Sequence, residues 1–454
     1  MSIINCFSAN TGLKIDGIVE SYYAYAGENI SAGDFVEFVN VYTTHPGQSN
    51  NFSLYTPSCV SSCLIDDDKF LLAYYNTASG ATNRYKGVLK IGTVSSNTIN
   101  FGTEYVFDNI SDYSSVLSIS KLDTNKFIIV YKNGYPMKAI ACTISNSVIT
   151  FGSSVTAISA NSSNPCYDLK VIATDTTKAV ALCRYGNETV KGCVLTISNN
   201  TTITVGTETN VLAKASGQDF CKLNDSNFFL VYNDTNNSKG RAIIVNVSGN
   251  NISTKGDTMF LSNGRYAGVS VCTLAENKVF IMFITQTYSV CYGIIANISN
   301  FNTITFGDMT VIENSNDVRQ FGYNASALSS SKVVLAYSSG STSETRKGLI
   351  LTALISGNII SPQNTFEFSS SDTESPFILQ TQNNIIILSY VTYYNGTTTR
   401  GRSRFLDCTL DTPSTDIIDS VQTYARKTTI SQFNGIAKTK GVGGDQIKVY
   451  VPDI

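Results

Sequence analysis

The chain has 454 residues, a formal net charge of -2 and only 15% charged residues, which excludes the strongly basic face typical of nucleic-acid binding. No apolar run reaches the 18 residues that a membrane-spanning helix needs, so no membrane partner is predicted. The N-terminus lacks a basic start followed by a long apolar core, so no secretory signal is expected, and the scattered cysteines favour synthesis in a reducing cytoplasm.

The first predicted elements lie in residues 1–45. Ala26 to Asn29 and Ala32 to Asp34 read as tight turns, and each precedes a short strand. Phe35 to Val39 is the clearer of these two strands.

A short apolar run then recurs seven times along the chain. Each copy is rich in Ile, Val, Phe and Tyr and is bounded by turn residues, which predicts a strand buried on both faces. The steps between copies are 57, 52, 49, 51, 54 and 52 residues, and a period of about 50 with strand-like content indicates a propeller or an array. The copies begin at Lys69, Lys126, Lys178, Asn227, Lys278, Lys332 and Asn384.

Three further apolar segments accompany each copy: one before it, one after it and a fourth that ends in ITFG or a relative. Four antiparallel strands in each of seven units predict an all-β fold, a seven-bladed β-propeller over residues 46–426. A pair of β-sandwiches is the alternative. Either Asn51 to Thr56 or Asp419 to Arg426 is predicted to complete the last blade and close the ring.

The end of the chain mirrors its start. Gly443, Gly444 and Asp445 precede a predicted strand from Gln446 to Val451. We therefore predict a small discontinuous β-domain from residues 1–45 and 427–454, with the propeller inserted between its halves. Its docking turns would be Gly33-Asp34 and Gly444-Asp445.

The terminal pattern, AGENISAGDFVEF at the start and NGIAKTKGVGGDQIKVYVP at the end, resembles a small β-domain of tailed-bacteriophage virion structural proteins. The resemblance covers about the outer 40 residues at the start and 25 at the end. It implies a head decoration protein or a tail component, made in the host cytoplasm and located in the virion. It also implies capsid or tail proteins as partners and makes a homo-oligomer natural.

Catalytic chemistry has little support in the sequence. The only histidine, His45, excludes triads and metal sites that need a second histidine. Asp66, Asp67 and Asp68 could seat a hard cation, but a β-turn explains the run better, and Cys59 with Cys63 is weak evidence for a metal. Six cysteines, which we expect to be small buried hydrophobes, fall inside predicted strands. They are Cys142, Cys183, Cys193, Cys272, Cys291 and Cys408. We predict no cofactor, no metal and no enzymatic activity.

A basic residue, usually followed by Gly or Ala, stands just before the third strand of most units. Equivalent loops of a propeller point to one face, so these residues would form a broken ring of positive charge, a candidate ligand-binding site for anionic glycans or an acidic partner. The alternative is that each side chain solubilises a loop and blunts a strand end. The residues are Lys86, Lys138, Lys191, Lys239, Lys347 and Arg400.

The predicted function is therefore a non-enzymatic structural protein of a phage particle that displays its propeller outward as a decoration or attachment module. An adhesin for host surface polysaccharide is the alternative, followed by a polysaccharide-degrading enzyme. The fold does not choose among them, because propellers serve all three roles.

Overall fold

The structure is a computed structural model of the chain. It describes residues 18–26, 35–46, 49–53, 57–76, 85–95, 98–110, 116–262, 264–285, 290–314, 318–340, 347–370, 372–381, 385–394, 398–408, 416–427, 435–437 and 446–452. The chain divides into two compact units, one formed by Met1–Pro46 with Asp416–Ile454 and the other by Gly47–Thr415. No helix long and apolar enough to cross a membrane occurs among the described residues.

All the described elements with regular structure are strands. The first three are β1 (Ile18–Ala26), β2 (Phe35–Pro46) and β3 (Ser49–Ser53). Blade 1 contains β4 (Pro57–Leu64), β5 (Lys69–Asn76), β6 (Lys86–Ser95), β7 (Thr98–Phe101) and β8 (Tyr105–Asn109). Blade 2 contains β9 (Leu117–Asp123), β10 (Lys126–Lys132), β11 (Met137–Ser145), β12 (Val148–Phe151) and β13 (Val155–Ile158). Blade 3 contains β14 (Cys166–Ala173), β15 (Lys178–Tyr185), β16 (Val190–Ser198), β17 (Thr202–Val205) and β18 (Thr209–Leu212).

The remaining strands repeat this order. Blade 4 contains β19 (Ala215–Lys222), β20 (Asn227–Asp234), β21 (Lys239–Ser248) and β22 (Asn251–Leu261). Blade 5 contains β23 (Tyr266–Ala275), β24 (Lys278–Thr285), β25 (Cys291–Ser299), β26 (Thr303–Phe306) and β27 (Thr310–Glu313). Blade 6 contains β28 (Val318–Ser329), β29 (Lys332–Ser339), β30 (Lys347–Ser356), β31 (Ile359–Pro362) and β32 (Phe366–Ser369). Blade 7 contains β33 (Asp372–Gln380), β34 (Ile385–Tyr394) and β35 (Thr398–Asp407), together with β3. The last three strands are β36 (Asp416–Lys427), β37 (Gly435–Ala437) and β38 (Gln446–Pro452).

Strands β3 to β35 form a seven-bladed β-propeller of four-stranded antiparallel blades, which confirms the predicted fold. The β-sandwich alternative is wrong. The recurring apolar run is the second strand of each blade. In β10, Phe127 to Tyr131 are fully buried on both faces, because the strand is sandwiched between neighbouring sheets. The outer strand of most blades has two short segments that both pair with the third strand, such as β12 and β13 on β11.

Side chains of the innermost strands link one blade to the next. Ser118 Oγ accepts a hydrogen bond from Val171 N in the following blade at 3.2 Å. Serines and an asparagine at the equivalent position make the same bond at other boundaries, with distances from 2.9 to 3.2 Å. The pairs are Ser61 with Ile119, Ser270 with Ala325 and Asn324 with Ile378.

The N-terminal candidate closes the ring. β3 (Ser49–Ser53) pairs antiparallel with β35 as the outermost strand of blade 7, with Ser49 opposite Arg404 and Ser53 opposite Gly401. This strand overlaps the candidate Asn51 to Thr56. The competing candidate, Asp419 to Arg426, lies in β36, which pairs with β2 instead.

The other unit contains strands from both ends of the chain. β1 pairs with β38 and β36, β2 pairs with β36 and β37, and β37 pairs with β38, so that the five strands close a barrel. The docking role and the boundary at residue 427 stay predictions. The predicted docking turns at Gly33, Asp34, Gly444 and Asp445 lie outside the described residues.

Candidate functional site

A groove of about 420 Å³ lies between the outer strands of blade 7 and blade 1, where the ring closes. We call it the seam groove. One wall is β3 and the other is the outer part of blade 1. Its lining residues are Asn50, Asn51, Phe52, Ser53, Lys90, Ile99, Asn100, Phe101 and Glu104.

Local chain organisation explains why the groove is here. In blades 1, 2, 3, 5 and 6 two outer segments follow the third strand, whereas β3 supplies one five-residue segment to blade 7. At other boundaries the space is closed by the ITFG glycine. Gly152 packs against Thr201 of the next blade and Gly307 against Asn358, so closely that a methyl group at either glycine would overlap its neighbour.

A charged pair on the blade 1 wall is linked to the opposite wall through its lysine. Lys90 Nζ donates to the backbone oxygen of Phe52 at 2.7 Å and lies 3.2 Å from Glu104 Oε1. Glu104 Oε1 also accepts a hydrogen bond from Tyr74 OH at 2.8 Å. Burial, together with the negative charge and the hydrogen bond of Glu104, raises the pKa of Tyr74 far above its usual value of 10. The tyrosine therefore stays a neutral donor and holds the carboxylate in place.

The apolar floor is aromatic. The rings of Phe52 and Phe101 lie edge to face with centroids 6.1 Å apart, and Phe101 makes a similar contact with Phe70 at 6.0 Å. Phe52 is fully buried, whereas Phe101 is half-buried. Such edge-to-face contacts fix the ring positions. Phe101 therefore gives the groove a rigid apolar surface.

Asn50 is the unsatisfied residue of the groove. Its side-chain Nδ2 is buried and makes no hydrogen bond within the described part of the chain. A buried N–H group without an acceptor costs roughly 1–3 kcal/mol. A ligand oxygen in the groove would satisfy this donor if the amide, which is closed off from solvent, turned toward it.

The basic residues predicted before the third strands fall at two different levels of the blades. Lys86, Lys239, Lys347 and Arg400 pair with Asn76, Asp234, Ser339 and Thr392, each eighth along its second strand. Lys138 and Lys191 instead pair with Tyr131 and Cys183, each sixth along its strand. Two residues correspond to about 7 Å along a strand. The six residues therefore lie at two different strand positions and do not share one loop position.

Three of these lysines are next to carboxylates. Lys138 Nζ lies 3.8 Å from Asp108, Lys191 Nζ lies 3.6 Å from Glu208 and Lys347 Nζ lies 2.7 Å from Glu367. Lys86 and Lys239 are half-buried at the start of their strands. These ion pairs weaken the positive electrostatic potential that the sequence predicted for this face. The ligand-binding role of the six residues stays a prediction.

The glycine that follows several of these basic residues has a packing role. Gly87, Gly348 and Gly401 each lie directly under an aromatic ring of the outer strand, from Phe107, Phe368 and Phe52 respectively. A methyl group at any of them would overlap that ring. The Lys-Gly pattern therefore marks the position at which an aromatic ring of the outer strand packs on the third strand.

The other sequence candidates are structural where the chain is described. Asp66 to Asp68 form the turn between β4 and β5, with Lys69 Nζ 3.5 Å from Asp66 and 3.2 Å from Asp68. The six cysteines predicted to be buried are all buried, as expected. Five of them lie in strands, whereas Cys408 directly follows β35, so its predicted place inside a strand is wrong. Within the described residues, no group of three or more His, Cys, Asp or Glu side chains could hold a metal ion.

A second cavity of about 320 Å³ lies among the inner strands of blades 3 to 7. Its charged member, Lys170, is bound to Asp219 at 2.5 Å. Asp219 also accepts hydrogen bonds from Phe220 N and Val271 N, both at 2.9 Å. The polar groups of this cavity thus hold the blades together, and we treat the seam groove as the candidate site.

Sequence reasoning missed the seam groove. One signal was available: Lys90 interrupts an apolar strand at a position where blades 2, 4, 5 and 6 carry Ile140, Ile243, Ile294 and Leu351. A lysine there implies a nearby acceptor. The groove itself could not be inferred, because it depends on which terminal strand closes the ring.

No protein-family model matches the sequence, and no curated protein resembles it closely enough to count as a relative. Several solved structures are similar in fold. The Dos1 propeller is 14% identical, with 90% of this chain and 95% of that chain covered at a TM-score of 0.48. A fucose-specific lectin from Aleuria aurantia is 11% identical, with 70% and 97% covered at a TM-score of 0.43. The NanB sialidase from Streptococcus pneumoniae is 11% identical, with 80% and 71% covered at a TM-score of 0.45. At these identities the similarity concerns the fold alone.

Proposed function

We propose that the protein is a non-enzymatic attachment module whose propeller binds a neutral carbohydrate in the seam groove. The observation that carries the proposal is the buried, unpaired Nδ2 of Asn50 at the edge of a groove that also offers Lys90, Glu104 and the ring of Phe101.

The donor and acceptor set suits a polyhydroxyl ligand. An asparagine amide both donates and accepts, a lysine donates and a carboxylate accepts, so each sugar hydroxyl can find a partner of either kind. Asn50, Asn51 and Asn100 provide amides on both walls. Phe101 provides apolar surface against which the C–H groups of a sugar ring can pack.

The charge balance favours a neutral ligand. Lys90 and Glu104 are the two charged side chains that the described part of the chain contributes to the lining, and they are 3.2 Å apart, so their charges largely cancel. An anionic sugar would gain little from Lys90 and would be repelled by Glu104. Pockets of about 300 Å³ or more hold small ligands, so the groove is large enough for a sugar ring or a short stretch of a chain.

The same lining supports binding over cleavage. Hydrolysis of a glycosidic bond by the common mechanisms uses two carboxyl groups about 5–10 Å apart. Among the described residues, the lining contains one carboxylate, Glu104, and that group is already held by Tyr74 and Lys90. The arrangement therefore favours recognition without turnover.

The setting on a phage particle stays a proposal that rests on the resemblance at the chain ends. In that setting the terminal strands would dock onto capsid or tail proteins, and the propeller would carry the attachment groove. Labelling of intact particles with a specific antibody tests the location independently of sugar binding.

A panel of immobilised neutral and anionic glycans tests the binding proposal. We expect the wild-type protein to bind neutral glycans and Asn50→Ala to bind at least about tenfold more weakly, a loss of about 1.4 kcal/mol. Asn50→Ala removes an unpaired donor, so it should fold normally. Lys239→Ala, in the predicted basic ring of blade 4, is the matched control and should bind like the wild type.

The salt dependence separates the two candidate surfaces. Binding of a neutral sugar in the groove should be nearly unchanged between 50 and 500 mM salt, since screening acts on net charge. Preferential binding of anionic glycans that weakens with salt and with Lys239→Ala would assign recognition to the basic ring and overturn the groove proposal. So would the absence of binding to every glycan tested.

A further inference from the structure

Two buried thiols touch in blade 3. Cys166 begins β14 and Cys183 lies in β15, and their Sγ atoms are 3.3 Å apart. Both residues are fully buried. Cys166 pairs with Tyr185, two residues from Cys183, so both cysteines project from the same face of the sheet.

The two sulfur atoms differ in chemical character. The Cys183 thiol donates a hydrogen bond to Cys166 Sγ, and this bond lowers the pKa of Cys166. Burial raises the pKa of Cys193, in the same hydrophobic cluster, to about 12, and it raises the pKa of Cys142, in the neighbouring cluster, to about 12 as well. Because the thiolate is the reactive form of cysteine, Cys166 is the more reactive thiol of this cluster.

The position also provides a route for a small oxidant. Cys166 is the first residue of its strand, and its neighbours Pro165 and Tyr167 are half-buried. Strand ends open locally more readily than strand centres. A molecule close to water in size can reach Cys166 through such an opening.

We propose that Cys166 and Cys183 are a redox modification site that a peroxide converts into a reversible disulfide between β14 and β15. Their sulfur atoms need to approach from 3.3 Å to the disulfide bond length of about 2.05 Å. The pair would stay reduced in a reducing cytoplasm and would close after release into an oxidising medium.

The reaction balances with hydrogen peroxide or an organic hydroperoxide as the two-electron oxidant. The Cys166 thiolate attacks the peroxide O–O bond, forms a sulfenic acid and expels hydroxide or alkoxide. Cys183 then attacks the Cys166 sulfur, forms the S–S bond and displaces the oxygen as water. In total the two thiols lose two hydrogen atoms, and the peroxide is reduced to two waters or to water and an alcohol.

Mass spectrometry of the full chain tests the proposal. The folded protein is treated with hydrogen peroxide, quenched with catalase, unfolded in the presence of iodoacetamide and digested. We expect a linked pair of peptides that contain Cys166 and Cys183, lighter by two hydrogen atoms and separated again by dithiothreitol. Exposed Met309, 50% accessible, reports by its sulfoxide that the oxidant was delivered.

Variants show whether the link is specific. Cys166→Ser and Cys183→Ser should each abolish it, whereas Cys193→Ser, a third buried cysteine of the same cluster, should leave it intact. If Met309 is oxidised while Cys166 and Cys183 of the wild type are both recovered in alkylated form, the proposal is wrong. Equal linkage of Cys166 to Cys142 or Cys193 would also overturn it. The wild-type measurement does not depend on whether a variant folds.

Discussion

The Oγ atom of Ser118 accepts a hydrogen bond from the backbone N–H of Val171, 3.2 Å away in the next blade. Ser118 is buried, so its replacement by alanine would leave the Val171 N–H without an acceptor in a place that water reaches poorly. We expect Ser118→Ala to lower the free energy of unfolding by about 1–3 kcal/mol. Urea denaturation monitored by tyrosine fluorescence measures this change.

Ser153→Ala is the matched control, because Ser153 is exposed and surface substitutions usually stay within about 0.5 kcal/mol. Equal stability of the two variants would show that the inner serines do not hold the blades together.

Between blades 3 and 4, an ion pair replaces the hydrogen bond that a serine makes at other boundaries. Lys170 occupies the serine position and cannot accept a hydrogen bond, so it donates to Asp219, which also binds Phe220 N and Val271 N. Asp219→Ala should cost about 2–3 kcal/mol, because it strands a lysine and two backbone N–H groups. Lys222 with Asp225 provides the control: Asp225 is 79% exposed, and Asp225→Ala should cost less than about 1 kcal/mol. A smaller loss for Asp219→Ala than for Asp225→Ala would contradict this account.

Gly348 leaves room for the ring of Phe368, which packs directly above it. Gly348→Ala should therefore destabilise the protein by about 1–3 kcal/mol through overpacking. Phe368→Leu in the same chain should recover part of that loss, because the smaller side chain vacates the space. Gly102→Ala is the control, since a methyl group there meets an atom no closer than 3.7 Å. Thermal unfolding of the wild type, the three single variants and the double variant measures the effect, and additive losses in the double variant would exclude a steric cause.

Several tyrosines of the second strands donate to carboxylates, as Tyr131 does to Asp108 at 2.7 Å. Burial and the adjacent Asp108 raise the pKa of Tyr131 above its usual value of 10. Since the folded state keeps the proton longer than the unfolded state, this stabilisation is present below about pH 10 and is lost as the pH rises further. Urea midpoints between pH 9 and 11.5 should fall, and they should fall less steeply in Tyr131→Phe.

Tyr135→Phe is the control for this titration, because Tyr135 is 48% exposed. Its midpoints should decline as in the wild type. Identical slopes for both variants would show that Tyr131 does not contribute to the alkaline loss.

The repeat made the propeller predictable. Seven buried runs such as Phe127 to Tyr131, at steps near 50 residues, can bury both faces only when sheet packs on sheet in a ring. The glycine of ITFG was visible as a motif in the sequence, but the reason why a glycine is needed at that position was not. Only the fold shows that Gly152 makes room for Thr201 of the following blade.

The binding surface was less predictable because it depends on register and on closure. The lysines before the third strands look equivalent in sequence, yet Lys138 pairs with Tyr131 while Lys86 pairs with Asn76. A difference of two strand positions keeps the side chain on the same face of the sheet but moves its level by about 7 Å. Asn50 lies beside Lys90 only because β3, which precedes the repeats in sequence, pairs with β35 at their end and completes blade 7.

A crystal structure of the protein with the best neutral glycan from the panel tests the central claim most directly. The account predicts a sugar ring over Phe101, with an oxygen atom within hydrogen-bond distance of Asn50 Nδ2 and a hydroxyl group on Glu104 or Lys90. A sugar seated in the cavity among the inner strands, or on Lys138, Lys191 and Lys347, with the seam groove empty, would contradict it.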